Sequence, residues 1–368
     1  MTQPHNPIRV CFVSPKAYTL FNPNAKGTIG GAEVDLYYLA TELAKDNNFA
    51  VSFIVADYGQ ASTEQHENVN VIKSLNFNHS PLRSALRLAK AFDNANANIY
   101  FIKTASPGVP LLAWFCRKHQ RALVYRTAHQ YECDGTYRRQ HPLVGRAFDW
   151  AIRHAQLLTT QNDVDAQILK NRTGLDSRVI PNGHRLPNLT QYPRKTVLWV
   201  GRSADFKQPN LFVDLARQRP NRHFTMICQR ATDDRQYDQL VEQATQTPNL
   251  TFIPRVPFHE IESHFLWAQL HVSTSRAEGF PNTFIQACKC ATPILSLNVN
   301  PDAFLDTHQC GLCAQGDWQR FLTMLDQLAD PETAHRYGQN GRRYARQKHD
   351  LATITDKYKQ EFRRILNS

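Results

Sequence analysis

The feature that most constrains this chain is an alternation that starts twice. Ile8-Arg-Val-Cys-Phe-Val-Ser-Pro15 reads as a short strand rich in β-formers, ending at Pro15; then come a polar loop to Thr28, Ile29-Gly30-Gly31-Ala32-Glu33 and a helical stretch. Thr196 to Val200 repeats the order with Gly201-Arg202, a polar loop through Lys207, and a helix from about Asn210 to Gln218. Short apolar runs separated by helical stretches cannot pair as hairpins; they need helical crossovers, which make a parallel sheet covered on both faces. A chain of 368 residues exceeds what one core usually holds. The expected fold is α/β, with two Rossmann-like, doubly wound domains facing across a cleft.

The intervening pattern supports this. Strands are expected at Phe49–Ala56, Val69–Ile72, Asn98–Lys103, Ala122–Arg126, Leu157–Thr160 and Arg178–Ile180. After the restart they are expected at Phe224–Cys228, Leu250–Pro254, Leu270–Thr274, Pro293–Leu297 and Gly311–Cys313. A helix from Pro81 to about Ala95 should pack through Leu82, Leu86, Ala89 and Phe92. Tyr131 to His141 reads as a polar loop, and its Glu132, Asp134, Arg138 and Arg139 are candidates to contact an acceptor. Pro181-Asn182-Gly183-His184 is a turn, and the polar linker to Arg194 marks the boundary. The division expected is residues 1–188, residues 189–345, and a C-terminal helix over 346–368 able to cross back to the first domain.

Net charge and cysteine content narrow the function classes. The formal charge of +11 suits an anionic partner. No zinc-finger spacing, aromatic RNA-binding strand or long Lys/Arg tract accompanies it, which argues against nucleic acid. Arg83, Arg87 and Lys90 form one helical stripe, and Arg117-Lys118-His119 ends a helix containing Trp114 and Phe115. Such helices suit peripheral contact with an anionic membrane, or simply a solvated face. No apolar stretch is long enough to span a bilayer. The polar lead-in, Met1 to Pro7, does not resemble a signal peptide, so a cytoplasmic protein is expected, possible contact with the inner membrane face aside. The pairs Cys310/Cys313 and Cys288/Cys290 lack partners at a familiar ligand spacing, so buried free thiols and no metal site are expected.

The chemistry concentrates in Ser275-Arg-Ala-Glu278-Gly279-Phe280-Pro281-Asn282-Thr-Phe-Ile-Gln286-Ala287. A strand precedes this stretch and a helix follows, so backbone N–H groups converge at a helix start, the geometry that receives phosphate. The same logic applies to Gly30 and Gly31, where absent side chains let the backbone approach a bound group. Thr127-Ala128-His129 follows a strand at the carboxyl edge, where α/β proteins place ligand residues.

Taken together, these segments resemble the GT-B glycosyltransferases of family 4, the retaining nucleotide-sugar enzymes. The resemblance rests on Gly30-Gly31-Ala-Glu33, Thr127-Ala-His129, Val179-Ile-Pro-Asn182-Gly183, Val200-Gly201-Arg202 with Lys207, and Glu278-Gly279-Phe280-Pro281 with Pro293-Ile294, in the family's order. It implies transfer of a hexose from a nucleoside diphosphate sugar, a co-substrate rather than a cofactor, to a glycan or lipid-linked acceptor. It assigns the diphosphate to Arg202 and Lys207, and a donor-sugar hydroxyl to Glu278. Backbone N–H groups of Gly279, Phe280 and Asn282, around Pro281, would complete the contacts. Gly30 and Gly31 would approach the distal phosphate, and His129 would lie near the sugar's primary carbon or the acceptor. The implied mechanism is same-face attack assisted by the leaving phosphate, without a metal.

The chain departs from the family at one position. The family signature has a second carboxylate eight residues after the first; here it is Gln286. An amide offers one neutral acceptor oxygen where a carboxylate offers two charged ones, so weaker ribose binding is expected. Two alternatives follow: a nucleotide-sugar or glycan-binding protein with a weakened site, and a nucleotide-sugar epimerase. The latter needs carboxylates placed for elimination and proton return, and no such set is assignable.

Overall fold

The computed structural model describes residues 6–27, 29–189, 193–231, 236–257 and 259–367. The expected lead-in before Asn6, Thr28 of the first loop and residues 190–192 of the linker lie outside the described residues. The chain forms two compact units. One runs to Arg185 and resumes at Leu351; the other spans Leu186–Asp350.

The first unit is built on strands β1 (Ile8–Val13), β2 (Phe49–Val55), β3 (Thr63–His66), β4 (Val69–Lys73), β5 (Ile99–Lys103), β6 (Ala122–Arg126), β7 (Leu157–Thr160) and β8 (Arg178–Val179). Among the described residues their order is β3-β4-β2-β1-β5-β6-β7-β8. All neighbours are parallel except β3 and β4. Strand β3, Thr-Glu-Gln-His, was not expected; it is an antiparallel edge strand with no apolar alternation to announce it. The chain winds outward from β1 through β2 to β4, then crosses to β5 on the other side of β1. That reversal opens a crevice at the carboxyl ends of β1 and β5. Helix Leu351–Asn367 belongs to this unit, and its Tyr358 and Phe362 pack against Phe101.

Two expectations in this unit are corrected. Helix Pro81–Ala95 forms as read, but it packs through Leu88, Ala91 and Phe92; Leu82 and Leu86 are 73% and 65% exposed. At about 100° per residue, Leu82 and Leu86 lie on the arc opposite the packed one. Every fourth residue of an Ala-rich helix offers more than one apolar stripe, and the sheet selected the other. Second, residues 131–141 are not an open loop. They form two short helices, Gln130–Cys133 and Thr136–Gln140, and Glu132 is buried.

The second unit contains β9 (Thr196–Arg202), β10 (Phe224–Gln229), β11 (Leu250–Ile253), β12 (Ala268–Ser273), β13 (Ile294–Ser296) and β14 (Gly311–Cys313). Their order among the described residues is β11-β10-β9-β12-β13-β14, all parallel. Side chains alternate between two covered faces. Val197, Trp199, Leu270, Val272 and Leu295 pack with Phe212, Leu240 and Phe321 on one side. Leu198, Ile227 and Ile294 pack with Phe265, Phe284 and Tyr344 on the other. The sheet reverses direction between β9 and β12, so the loops leaving those two strands must lie side by side. All eight cysteines are buried free thiols.

Candidate active site

The loops leaving β9 and β12 carry the predicted donor residues. Arg202 is the last residue of β9 rather than part of the following loop, and its side chain is partly exposed. Asp205–Lys207 forms a single 3-10 turn, after which Gln208 adopts φ 48° and helix Pro209–Gln218 begins. Lys207 is thereby folded back over the strand end. Its Nζ donates to Oε1 of Glu278 at 2.6 Å, and both side chains are largely buried. The same oxygen accepts the Ser275 hydroxyl at 2.7 Å.

This pair rests on a rigid floor. Thr274 Oγ1 donates to the Lys207 carbonyl at 2.7 Å and receives the Trp199 indole N–H at 3.0 Å. Arg276 N donates to the Phe206 carbonyl at 2.8 Å. Three hydrogen bonds and the ion pair therefore join two segments distant in sequence, and the local Ser275 bond adds to them, which fixes the ammonium and carboxylate relative to each other. Gly201 permits it: a Cβ there would lie 2.8 Å from the Trp199 ring and 3.0 Å from Lys207 Cδ. Beneath lies His271 of β12. Burial, reinforced by Lys207, lowers its pKa to about 4, so the ring is neutral, with Nδ1 hydrogen-bonded to the Leu198 carbonyl at 3.1 Å.

Helix Asn282–Lys289 follows, with Pro281 extended at its cap. Gly279 is buried, whereas Asn282 is partly exposed. The Phe280 ring points inward, 4.9 Å from Phe304 and 5.1 Å from the His349 ring. Gln286 lies about one turn into the helix and is buried, at 9% exposure.

In the first unit, Gly30 caps helix Gly31–Leu43 in an extended conformation, and its N–H donates to Glu33 Oε2 at 2.8 Å. Glu33 thus closes the helix start. His129 is extended, caps the short helix Gln130–Cys133, and stacks on Tyr131 with ring centres 5.1 Å apart. Gln161 Nε2 donates to the Thr127 and Ala128 carbonyls, and Ala128 N donates to Glu132 Oε2, so the approach to His129 is held from both sides. Desolvation raises the Glu132 pKa to about 7, even though the carboxyl also accepts the Tyr125 hydroxyl at 2.6 Å.

Sequence reasoning missed a buried ionic network behind this edge. Asp35 Oδ2 lies 2.9 Å from both Lys103 Nζ and Arg126 Nε. Arg126 also donates to the Ile180 carbonyl, the Tyr358 hydroxyl and Asn182 Oδ1, at 2.7, 2.6 and 2.6 Å. Burial works against the Asp35 carboxylate, but Lys103 and Arg126 overcome it and hold its pKa below the usual range. Burial lowers the pKa of Lys103. The signal available in sequence was a cation ending each of two otherwise apolar strands, Ile-Tyr-Phe-Ile-Lys103 and Ala-Leu-Val-Tyr-Arg126. Asn182 of the Pro-Asn-Gly turn acts here as a structural acceptor.

Two family models account for most of the chain: "Glycosyltransferase Family 4" matches residues 29–186 and "Glycosyl transferases group 1" matches residues 187–344. The chain belongs to the group 1, family 4-like GT-B glycosyltransferases.

The solved structures similar to this glycosyltransferase share its fold at low sequence identity. Sucrose-phosphate synthase from Thermosynechococcus elongatus superposes with a TM-score of 0.78 at 16% identity, covering 98% of this chain and 99% of its own. WaaG, a glycosyltransferase involved in lipopolysaccharide biosynthesis, gives 0.68 at 14%, covering 95% and 98%. The pneumococcal O-GlcNAc transferase GtfA, in complex with UDP and GlcNAc, gives 0.70 at 10%, covering 99% and 100%. No curated protein matches the chain. No helix among the described residues is long and apolar enough to cross a membrane.

Proposed function

We propose that this glycosyltransferase transfers a hexose, with retention, from a nucleoside diphosphate sugar to a glycan or lipid-linked acceptor. The observation that carries the reading is the Lys207–Glu278 pair, fixed at the sheet's reversal point beside a helix start. The reaction builds negative charge on the departing nucleoside diphosphate. A fixed ammonium and a guanidinium supply the compensating charge without rearranging during the step. Lys207 keeps further N–H donors beyond the one given to Glu278, and Arg202 ends the adjacent strand with a planar fork suited to phosphate. These two cations do the work a metal would otherwise do, and no cofactor is required. Glu278, gripped through one oxygen by Lys207 and Ser275, is oriented to accept a donor-sugar hydroxyl through the carboxylate. In the first unit the reading assigns the Gly30–Gly31 backbone to the distal phosphate and His129 to the sugar's primary carbon or the acceptor. The leaving phosphate assists deprotonation of the acceptor.

The test is donor consumption with UDP-, GDP- and ADP-sugars, for the parent and for Arg202→Ala, Lys207→Ala and Glu278→Ala. Removing a preorganised charge contact from such a site costs roughly 10²–10³-fold in turnover. Parent-like turnover in all three variants would sink the reading. Gln286 favours a second reading, a binding protein of the same fold. It predicts nucleotide binding without donor consumption, and Gln286→Glu would then strengthen binding.

Peripheral contact with an anionic membrane is supported by the exposed Leu82 and Leu86 beside Arg83 and Lys90. Exposed Trp114 beside Lys118 on the contacting helix Gly108–Lys118 adds to it. Apolar side chains ringed by cations suit an anionic interface. Co-sedimentation with anionic but not zwitterionic vesicles, lost in Leu82→Ser/Leu86→Ser, is the expected result.

A further inference from the structure

The short helices that replaced the expected loop at 131–141 build a concavity of about 470 Å³ in the first unit, and five arginines line it: Arg138, Arg139, Arg146, Arg153 and Arg172. Its acidic lining is only Asp134 and Asp149, so three positive charges remain uncompensated. Asp149 organises two of the arginines, bonding Arg138 at 3.0 Å and Arg172 at 2.9 Å. Arg172 is further tied to the Cys133 and Glu132 carbonyls. Gly135, at φ 83°, makes room for it; a Cβ there would lie 3.0 Å from Arg172 Cδ. Arg139 is held by the Thr136 hydroxyl at 2.6 Å. Arg146 and Arg153 flank Asp149 on one stripe of helix Pro142–Arg153, and neither meets a carboxylate among the described residues.

We propose that this concavity is a phosphate-binding site, taking a phosphomonoester or diphosphate group carried on a sugar or a lipid. Guanidinium forks match phosphate oxygens in pairs, and a wall of partly fixed forks selects that geometry over a simple halide. The like charges crowded here repel one another until an anion enters, which makes the site attractive to a multiply charged group. Its volume falls in the roughly 300–1,000 Å³ range of organic ligand sites, more than a bare ion fills. Every lining residue belongs to the first unit, whereas the proposed diphosphate clamp, Arg202 and Lys207, belongs to the second.

The test is run on the full chain carrying Arg202→Gln/Lys207→Gln, so that the proposed donor clamp contributes nothing. Inorganic pyrophosphate is titrated against thermal unfolding, with sodium chloride at matched ionic strength as the control. A saturable rise in Tm is expected, and adding Arg146→Gln/Arg153→Gln should raise the apparent Kd at least tenfold. Arg146→Lys/Arg153→Lys, which keeps charge but loses the fork, should fall between. Both arginines are exposed, so the variants should fold, and far-UV circular dichroism checks this. Repeating the comparison with glucose 6-phosphate and with phosphatidic acid vesicles identifies a soluble or a lipid carrier by which arm loses binding. A rise equalled by sodium chloride overturns the site. So does an Arg146→Gln/Arg153→Gln variant indistinguishable from its parent in all three arms.

Discussion

Replacing Asp35 with Asn tests whether the ionic network behind the β5 and β6 strand ends organises the first unit. The change is nearly isosteric, so it removes charge without opening a cavity. Asp35 Oδ2 is 2.9 Å from both Lys103 Nζ and Arg126 Nε, and those side chains are 2% and 1% exposed. Without the carboxylate, two buried cations face each other with no anion between them. Losing the one charge-assisted hydrogen bond, from Lys103, gives roughly 1.5–3 kcal/mol, and the lost ion-pair contact with Arg126 adds to it. Breaking a buried ion pair by removing one partner gives about 3–5 kcal/mol by an independent route. The expected loss is therefore about 4 kcal/mol. A second signature follows from the sign of the Lys103 shift. Its folded pKa lies below the ordinary lysine value, because burial disfavours the ammonium, and loss of Asp35 lowers it further. The unfolded chain then binds more protons, so the variant should regain stability as pH rises from the folded pKa toward about 10.4. Adding Lys103→Met removes the orphaned charge and should restore at least half of the loss. The assay is urea unfolding followed by far-UV circular dichroism, fitted as two transitions if the units unfold separately. An Asp35→Asn protein within about 1 kcal/mol of its parent, or one that Lys103→Met leaves unimproved, refutes the reasoning.

Three further outcomes are expected. The raised pKa of Glu132 means that the folded protein holds a proton the unfolded chain releases near its ordinary value. Stability should therefore fall between pH of about 4.5 and 7, by on the order of 3 kcal/mol in total, and Glu132→Gln should flatten that slope in a stability–pH series. Gly201→Ala drives a methyl group against the Trp199 ring and the Lys207 stem. It should cost about 1–3 kcal/mol by urea unfolding and lower turnover through the displaced ammonium; an unchanged protein would show that Gly201 does not set the position of Lys207. Tyr358→Phe removes the hydroxyl that Arg126 donates to at 2.6 Å. A loss of about 1–3 kcal/mol is expected, and none at all would mean that the remaining partners satisfy the guanidinium.

The residues themselves determined the α/β class, because strand runs separated by helical periods admit few other architectures. They also determined where the second alternation restarts, since Thr196 to Lys207 repeats the strand and glycine loop of the first. The candidate site was legible where chemistry is local: Gly30-Gly31, Thr127-Ala-His129 and Glu278-Gly-Phe-Pro are contiguous, and their loop position follows from the strands before them. What lay out of reach is whatever depends on contact between distant segments. No spacing rule joins Lys207 to Glu278, 71 residues apart; the reversal of sheet order between β9 and β12 brings them to 2.6 Å. Asp35, Lys103, Arg126, Asn182 and Tyr358 come from five separate elements, and only packing turns individually unremarkable charges into one buried network. Which stripe of helix Pro81–Ala95 faces the sheet was likewise a tertiary decision. Leu82 and Leu86 have the right spacing, but the sheet offers its complementary surface to Leu88, Ala91 and Phe92. Periodicity records that an apolar face exists; burial depends on the shape that meets it.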